Sequence, residues 1–95
     1  MLIVREVFVA KPGCSSKLAT LMKESVQAGW VGKCRIMTDM TGDFNRVVLE
    51  TEVESLAALE QRMKEYSDNK AMHEKMKGYT DMYQTGSREI FRVWD

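Results

Sequence analysis

The sequence lacks several features that define broad classes of protein. No apolar run approaches the roughly 18–20 residues that a membrane-spanning helix needs, and Arg5 and Glu6 interrupt the apolar start before a signal-peptide core could form. Neither sign of charge is in excess, with 14 basic and 14 acidic residues, so no bulk field would draw the chain to nucleic acid or to an anionic membrane. We therefore expect a cytoplasmic protein with no nucleic-acid or membrane partner.

Cysteine and histidine are also scarce. The two cysteines, Cys14 and Cys34, are far apart in sequence, which favours reduced thiols in a reducing compartment over a disulfide. Cys14 falls near a predicted helix N-terminus but has no defined basic partner, so it is interpreted as an ordinary thiol. With His73 as the single histidine and no cluster of cysteines or carboxylates, the sequence offers no zinc site, and we expect no metal.

What is present predicts one domain, residues 1–95, organised around the stretch 43–53, DFNRVVLETEV. This stretch alternates apolar and polar residues at the period of a β-strand. One set of its side chains is aliphatic and is expected to pack under helices: Val47, Leu49, Thr51 and Val53. The opposite set mixes apolar and charged groups and is expected to face a partner subunit, a cleft or water: Phe44, Arg46, Val48, Glu50 and Glu52.

The segments before this strand predict a strand, a helix and a second strand. Residues 2–10 are rich in β-branched side chains and end at a turn signal, residues 11–13. Each face of this strand carries one charge, Arg5 or Glu6, and the pattern does not decide which face is buried. Residues 14–28 have a helical period, and residues 33–40 predict a strand that Gly42 connects to 43–53 as an antiparallel hairpin.

The segments after it predict two helices and a final strand. Ser55 can cap a helix that is interrupted at residues 67–69, and a second, weaker helical stripe follows. Gly86 then opens a strand over residues 87–94. This order predicts an α+β, ferredoxin-like βαββαβ fold, with a four-stranded antiparallel sheet whose middle strands are the first and third, and with helices on one face.

The second face of such a sheet would be uncovered. It would expose apolar side chains that a small soluble monomer rarely shows to water: Phe8 or Val7, Phe44, Val48, and Trp94 or Phe91. Pairing two sheets face to face would bury these groups. The pattern therefore predicts a homodimer.

At this point the chain resembles the dimeric α+β barrel proteins, which include antibiotic-biosynthesis-type monooxygenases and NIPSNAP-like domains. The resemblance spans nearly the whole chain and rests on the element order, on Lys11-Pro12-Gly13 before an amphipathic helix, and on the run VVLETEVESLAALEQRM followed by a helical segment with His73. It implies a barrel formed across a dimer and a space between sheet and helices that can hold a small organic molecule.

The resemblance makes His73 a candidate catalytic residue. In heme-degrading members a histidine on this late helical segment ligates iron, and KAMHEK around His73 is similar to that neighbourhood. The tryptophan that this group has ten residues earlier is Met63 here, and the asparagine of its first strand falls near Glu6 or Val7. A lone histidine on a charged helix is more often a surface residue, so heme and other cofactors are not expected.

A second candidate site is the charged part of the uncovered face. Its members are Glu6, Arg46 and Glu50, with Arg88 and Arg92 nearby, set among Phe8, Phe44 and Trp94. These charges could orient the polar group of an otherwise apolar ligand. Alternatively, they pair across strands or across a dimer and neutralise one another. Trp30, between two glycines, could be a pocket lid or a dimer contact.

Two functional classes remain. The first is a small-molecule-binding protein that acts as a cofactor-independent, monooxygenase-like enzyme on an aromatic or polyketide-like substrate, which would supply its own electrons to oxygen. The second is a non-catalytic homodimer that binds a small molecule or another protein. Catalysis needs a polar group in reach of a closed pocket, so it predicts that His73 or Arg46 points inward. If both point to solvent, binding or interaction is favoured.

Overall fold

The computed structural model describes residues 1–29 and 33–94 and has the predicted α+β order. Its elements are β1 (Leu2–Ala10), α1 (Ser15–Gly29), β2 (Cys34–Thr38), β3 (Arg46–Val53), α2 (Leu56–Asp68), α3 (Lys70–Lys75), a short 3-10 helix (Tyr79–Asp81) and β4 (Tyr83–Arg92). The four strands form one antiparallel sheet in the order β2-β3-β1-β4. The predicted ferredoxin-like fold, with the first and third strands in the middle, is confirmed.

The register of the sheet decides which face of β1 is covered. Val4 pairs with Thr51, Glu6 with Leu49 and Phe8 with Val47, so the even-numbered side chains of β1 share a face with the aliphatic set of β3. Val4, Val47, Thr51 and Val53 are buried on this helix-covered face. The opposite, uncovered face holds Arg5 and Val7, which pair with Glu50 and Val48.

Two groups of apolar side chains join the helices to this sheet. Leu18 and Met22, one turn apart on α1, pack with Val47, Ala10 and Met76. Leu59 of α2 packs with Val4 and Val53. Removing each of these side chains from water contributes roughly 1.5–3 kcal/mol, which holds both helices against the same face.

Side-chain caps fix the ends of the later helices. The Ser55 hydroxyl accepts a hydrogen bond of 3.1 Å from the backbone N–H of Ala58, as the sequence predicts for the start of α2. Asn69 ends α2 and starts α3, where its side-chain oxygen accepts from the N–H of Met72 at 3.0 Å. The chain turns at this cap, and α3 buries Met72 and then Met76.

Two predicted strand boundaries are wrong for identifiable reasons. Phe44 and Asn45 have positive φ values of 68° and 58°, a conformation that cannot continue a strand, so β3 begins at Arg46. The connection from β2 is closed by Arg46, whose Nε lies 3.1 Å from Oδ2 of Asp39. The last strand begins at Tyr83, and Gly86 lies inside it opposite Phe8. Trp30 lies outside the described residues.

Within the described ranges, 1–29 and 33–94, no helix is both long enough and apolar enough to cross a membrane.

Candidate ligand-binding site

A cavity of about 320 Å³ lies between the covered face of the sheet and the helices. Its floor is the sheet: Val4, Glu6, Phe8, Leu49, Thr51 and Arg88. Its walls come mainly from the apolar stripes of the three helices: Met22, Val26, Leu59, Met63, Met72 and Met76. This size and mostly apolar lining are typical of sites for small organic molecules. The methionines give it flexible, polarisable walls.

Among the residues that the structure describes, three charged side chains interrupt the apolar lining: Glu6, Arg88 and Arg62, and Nη1 of Arg62 donates to the backbone carbonyl of Glu52 at 2.9 Å. Glu6 and Arg88 are directly opposite each other on β1 and β4, and Arg88 Nε donates to Oε1 of Glu6 across 3.1 Å. The guanidinium Nη1 also lies 3.7 Å from the sulfur of Met63. Glu6 and Arg88 both remain partly exposed, so their pair is held by cross-strand register and by solvent-screened attraction.

Two tyrosine phenols border this pair. Burial raises the pKa of Tyr66, and the neighbouring Tyr79 phenol and the Glu6 carboxylate raise it further. The pKa of Tyr79 is raised in the same way, by burial first and then by Tyr83 and Glu6. Both rings line the cavity, Tyr66 from α2 and Tyr79 from the 3-10 helix. A phenol with an ordinary pKa of about 10 is protonated near neutral pH, so both phenols are available as hydrogen-bond donors at the cavity.

Two buried hydroxyls lie elsewhere in the lining. Ser25 donates to the backbone carbonyl of Leu21 at 2.9 Å, a bond within α1. Thr51 is only 5% exposed, and no group within residues 1–29 and 33–94 makes a hydrogen bond with its side chain. A buried polar group without a partner costs free energy. The Thr51 hydroxyl is therefore a further hydrogen-bonding position for a bound molecule.

The six residues predicted to bind ligand do not form one site. Glu6 and Phe8 line the cavity, whereas Arg46 and Glu50 lie on the opposite face of the sheet, because their partners on β1, Val9 and Arg5, point away from the helices. The interpretation that placed Glu6 with Arg46 and Glu50 on the uncovered face is wrong. A shift of one position along β1 moves every side chain to the other face, and the two faces of β1 have similar patterns.

On the uncovered face, Glu50 is the centre of an ionic network. It is 8% exposed, and its two oxygens accept from Arg5 Nε at 2.9 Å and from Arg35 Nη2 at 2.6 Å. The Arg5 guanidinium also lies 5.5 Å from the centre of the Phe91 ring. Burial alone would raise the pKa of Glu50, but the hydrogen bonds and charges of Arg35 and Arg5 outweigh it and hold this pKa low. These contacts agree with the alternative interpretation, in which the charged side chains of this face pair with one another across strands.

The remaining aromatic candidates lie far from the cavity lining. Phe44 is 73% exposed in the β2–β3 connection, and Trp94 is 91% exposed after β4. Neither lines the cavity.

His73 lies on the exposed side of α3, outside the cavity lining. Its Nε2 donates to the backbone carbonyl of Tyr66 at 2.8 Å, and its ring is 4.9 Å from the Tyr66 ring. Because the ring lies outside the lining, His73 is not positioned to act on a group bound in the cavity. Arg46 also lies outside the lining, and its guanidinium is directed at Asp39.

The described residues show no alternative metal or reactive-thiol site. No group of three or more His, Cys, Asp or Glu within residues 1–29 and 33–94 could hold a metal ion. Both cysteines are unpaired thiols, and burial raises the pKa of Cys34 to about 11, which makes its thiolate scarce.

Three hydroxyl-bearing residues of the lining were not predicted to be there: Thr51, Tyr66 and Tyr79. The strand and helix periods at these positions indicate burial, but they do not distinguish packing from the lining of a cavity. The available signal was the presence of hydroxyl-bearing residues inside buried stripes, where a purely structural role is better served by aliphatic side chains.

The sheet, the helices on one face and the cavity between them define a ferredoxin-like α+β protein with a small-molecule-sized site. The same fold is found in a NIPSNAP family protein from Agrobacterium tumefaciens, with a TM-score of 0.87, 13% identity, and coverage of 99% of this chain and 86% of that chain. An uncharacterised NIPSNAP domain protein from Burkholderia xenovorans has the same fold with a TM-score of 0.85 and 9% identity, and the match covers 99% of this chain and 95% of that chain. An antibiotic biosynthesis monooxygenase matches with a TM-score of 0.74 and 17% identity, and the match covers 100% of both chains.

The predicted resemblance to NIPSNAP-like and monooxygenase-like proteins is confirmed for the fold. At these identities the comparisons show the fold alone. No protein-family profile and no curated protein sequence matches this chain.

Proposed function

We propose that this protein binds a small organic molecule in the cavity between its sheet and its helices. The observation that carries the proposal is the combination in one cavity of apolar walls, the Glu6–Arg88 pair, and a buried Thr51 hydroxyl that bonds to no residue in 1–29 or 33–94. Apolar walls supply affinity, and a few polar groups fix the orientation of a ligand. Neither polar feature is needed for packing alone.

We further propose that two copies associate through the uncovered face of the sheet. Its apolar side chains include Ile3, Val7 and Val48 in the middle strands, with Phe91 beside them on β4. Part of its charge is paired within the chain, Glu50 with Arg5 and Arg35, and Arg46 with Asp39. Glu52 and Glu89 lie on the same face and make no ion pair within residues 1–29 and 33–94. The charges that are neutralised internally can be covered by an identical copy without losing their partners.

Native mass spectrometry of protein purified without added ligand tests both proposals. We expect a dimer that carries a discrete added mass. Val48→Lys places a like charge at the same position of both copies and should give monomers that still bind. Protein that is monomeric at all concentrations would contradict the dimer proposal.

A cavity-filling variant tests the site. Leu49→Phe adds volume at the cavity floor and should reduce the retained mass, with Val26→Phe as a second variant from the opposite wall. Leu56→Phe, on the exposed start of α2 and outside the lining, is the matched control. Retention of the same mass by both filled variants would exclude the cavity as the site.

A second candidate function is cofactor-independent oxygenation of the bound molecule, supported by the fold shared with an antibiotic biosynthesis monooxygenase and by the Glu6 carboxylate in the cavity. A methylene of an aromatic or polyketide-like substrate would become a carbonyl, one atom of O₂ entering the product and the other leaving as water. Glu6 would accept the substrate proton that starts electron transfer. The test is incorporation of labelled oxygen from O₂, which Glu6→Gln should abolish while binding persists; label that enters from water would contradict this function.

A further inference from the structure

The Glu6–Arg88 pair leaves most of its hydrogen-bonding capacity unused. Arg88 donates to Glu6 through Nε, which leaves the two Nη groups. Within residues 1–29 and 33–94, only Nη1 makes a further hydrogen bond, with the Met63 sulfur. The pair uses one carboxylate oxygen, Oε1, and no group within residues 1–29 and 33–94 makes a hydrogen bond to Oε2 of Glu6. The pair therefore presents an acceptor and adjacent donors to the same cavity.

From this geometry we infer that the ligand carries an uncharged polar head in which a hydrogen-bond donor lies next to an acceptor, attached to an apolar and preferably planar body. An amide, a protonated carboxyl group and an enol beside a ketone belong to this class. The inference rests on the proposed function, because it assigns a ligand class to the same cavity.

The charge of the pair argues against a charged head. An anionic head that approaches Arg88 meets the carboxylate of Glu6 next to it, and a cationic head that approaches Glu6 meets the guanidinium. The second guanidinium of the lining, Arg62, donates through Nη1 to the backbone carbonyl of Glu52 and adds to the positive charge that a cationic head would meet. Either ion would also lose solvation among the methionine and aliphatic walls. A neutral donor–acceptor head bonds to both members of the pair and leaves their mutual attraction in place.

The surrounding phenols support the same class. Tyr66 and Tyr79 are protonated at neutral pH, as a phenol with an ordinary pKa of about 10 is. Burial and the Glu6 charge raise their pKa values further, so each offers a neutral donor beside the pair. A carbonyl acceptor on the ligand can use such donors without bringing a charge into the cavity. The aromatic and thioether side chains of the lining, which include Phe8 and Met63, suit a flat apolar body.

Three probes with one body and different heads test the inference: 2-naphthamide, 2-naphthoate and 2-naphthylmethylammonium. Isothermal titration calorimetry at neutral pH should give a dissociation constant for 2-naphthamide about tenfold below those of the two ions, a difference that corresponds to roughly 1.4 kcal/mol. In Glu6→Gln the carboxylate is lost and Arg88 is unpaired, so 2-naphthoate should become the preferred probe. Glu52→Gln, on the uncovered face, is the matched control and should keep the preference of the unmodified protein.

Each outcome separates the inference from the proposed function. Probes that bind with 2-naphthoate or the ammonium preferred, or a preference that Glu6→Gln leaves unchanged, would overturn the ligand class and leave the cavity as the binding site. Failure of all three to bind at about 1 mM would overturn the proposed function together with the inference. If Glu6→Gln fails to fold, Arg88→Met provides the complementary test. This variant leaves the Glu6 carboxylate without its cation, so 2-naphthylmethylammonium should become the preferred probe.

Discussion

Nε2 of His73 donates a 2.8 Å hydrogen bond to the backbone carbonyl of Tyr66, and the two rings lie 4.9 Å apart. The same carbonyl accepts from the N–H of Asn69 at 3.1 Å, where α2 ends. Tyr66 lines the cavity and His73 does not. The histidine thus joins α3 to the end of α2, which forms a wall of the cavity, from outside.

Replacing His73 by Ala should therefore affect stability and not chemistry. The loss of one exposed hydrogen bond and a ring contact should lower the free energy of unfolding by about 1 kcal/mol, as measured by urea denaturation. Ligand affinity should fall only modestly, through a less restrained Tyr66. Glu74→Ala, an exposed neighbour on the same helix, is the control. A His73→Ala variant that is as stable as this control would show that the contact contributes nothing.

The fold could be predicted because the capping residues and the apolar periods of the sequence indicate the same order of strands and helices. Ser55 marks the start of α2, the Asn69 region marks its end, and the alternation in 43–53 identifies the central strand and its aliphatic face. The strand boundaries were less predictable, since a phenylalanine with positive φ, such as Phe44, has no sequence signature.

The site was less predictable than the fold. Arg5 and Glu6 give β1 nearly symmetrical faces, and only pairing with β3 decides which charge enters the cavity. The Glu6–Arg88 contact joins residues 82 positions apart, so no local pattern could reveal it. Tyr66 and Tyr79 lie at helical spacings that predict a core equally well.

Glu50 should make stability depend on pH. Its folded pKa is held below its ordinary value, so its contribution is present above about pH 4.3, the ordinary pKa of glutamate, and is lost as the pH falls through the folded value. Glu50→Gln should be less stable at neutral pH by about 1 kcal/mol, a value kept small because Arg5 and Arg35 are largely exposed. The difference should shrink on acidification, as measured by urea midpoints across this range.

The exposed Glu54 provides a control for that series. The free energy of unfolding of Glu54→Gln should follow that of the unmodified protein at every pH in the series. If Glu50→Gln differed from the unmodified protein by the same amount at acidic and at neutral pH, the arginine contacts would not be the source of the stability difference.

Gly86 leaves space for Phe8 on the cavity floor. A Cβ at this position would lie 3.3 Å from Cδ1 of the ring, which also packs edge-on against Tyr83 at 4.9 Å. Gly86→Ala should push the ring by a few tenths of an ångström and Gly86→Val by more, with affinity for a cavity ligand falling in that order. Calorimetric titration with 2-naphthamide measures the effect.

A double-mutant cycle checks the cause of that loss. Phe8→Ala removes Cδ1 and Cε1, the side-chain atoms that the new Cβ meets, so Gly86→Ala should cost less in this background than alone, by at least about 0.5 kcal/mol. Additive effects would mean that Gly86 acts through the backbone of β4 and not through the ring.

The phenols of Tyr66 and Tyr79 should report the charge of Glu6 directly. Burial raises both pKa values and the Glu6 carboxylate adds to the rise, because a negative charge disfavours a second one nearby. Glu6→Gln removes that charge and should lower both ionisation midpoints, as followed by the ultraviolet absorbance of the phenolates. Tyr66→Phe and Tyr79→Phe assign the two titrations, and Glu52→Gln should leave them in place. Midpoints unmoved by Glu6→Gln would mean that the carboxylate does not share the cavity with the phenols, which would remove the electrostatic basis for a neutral ligand head.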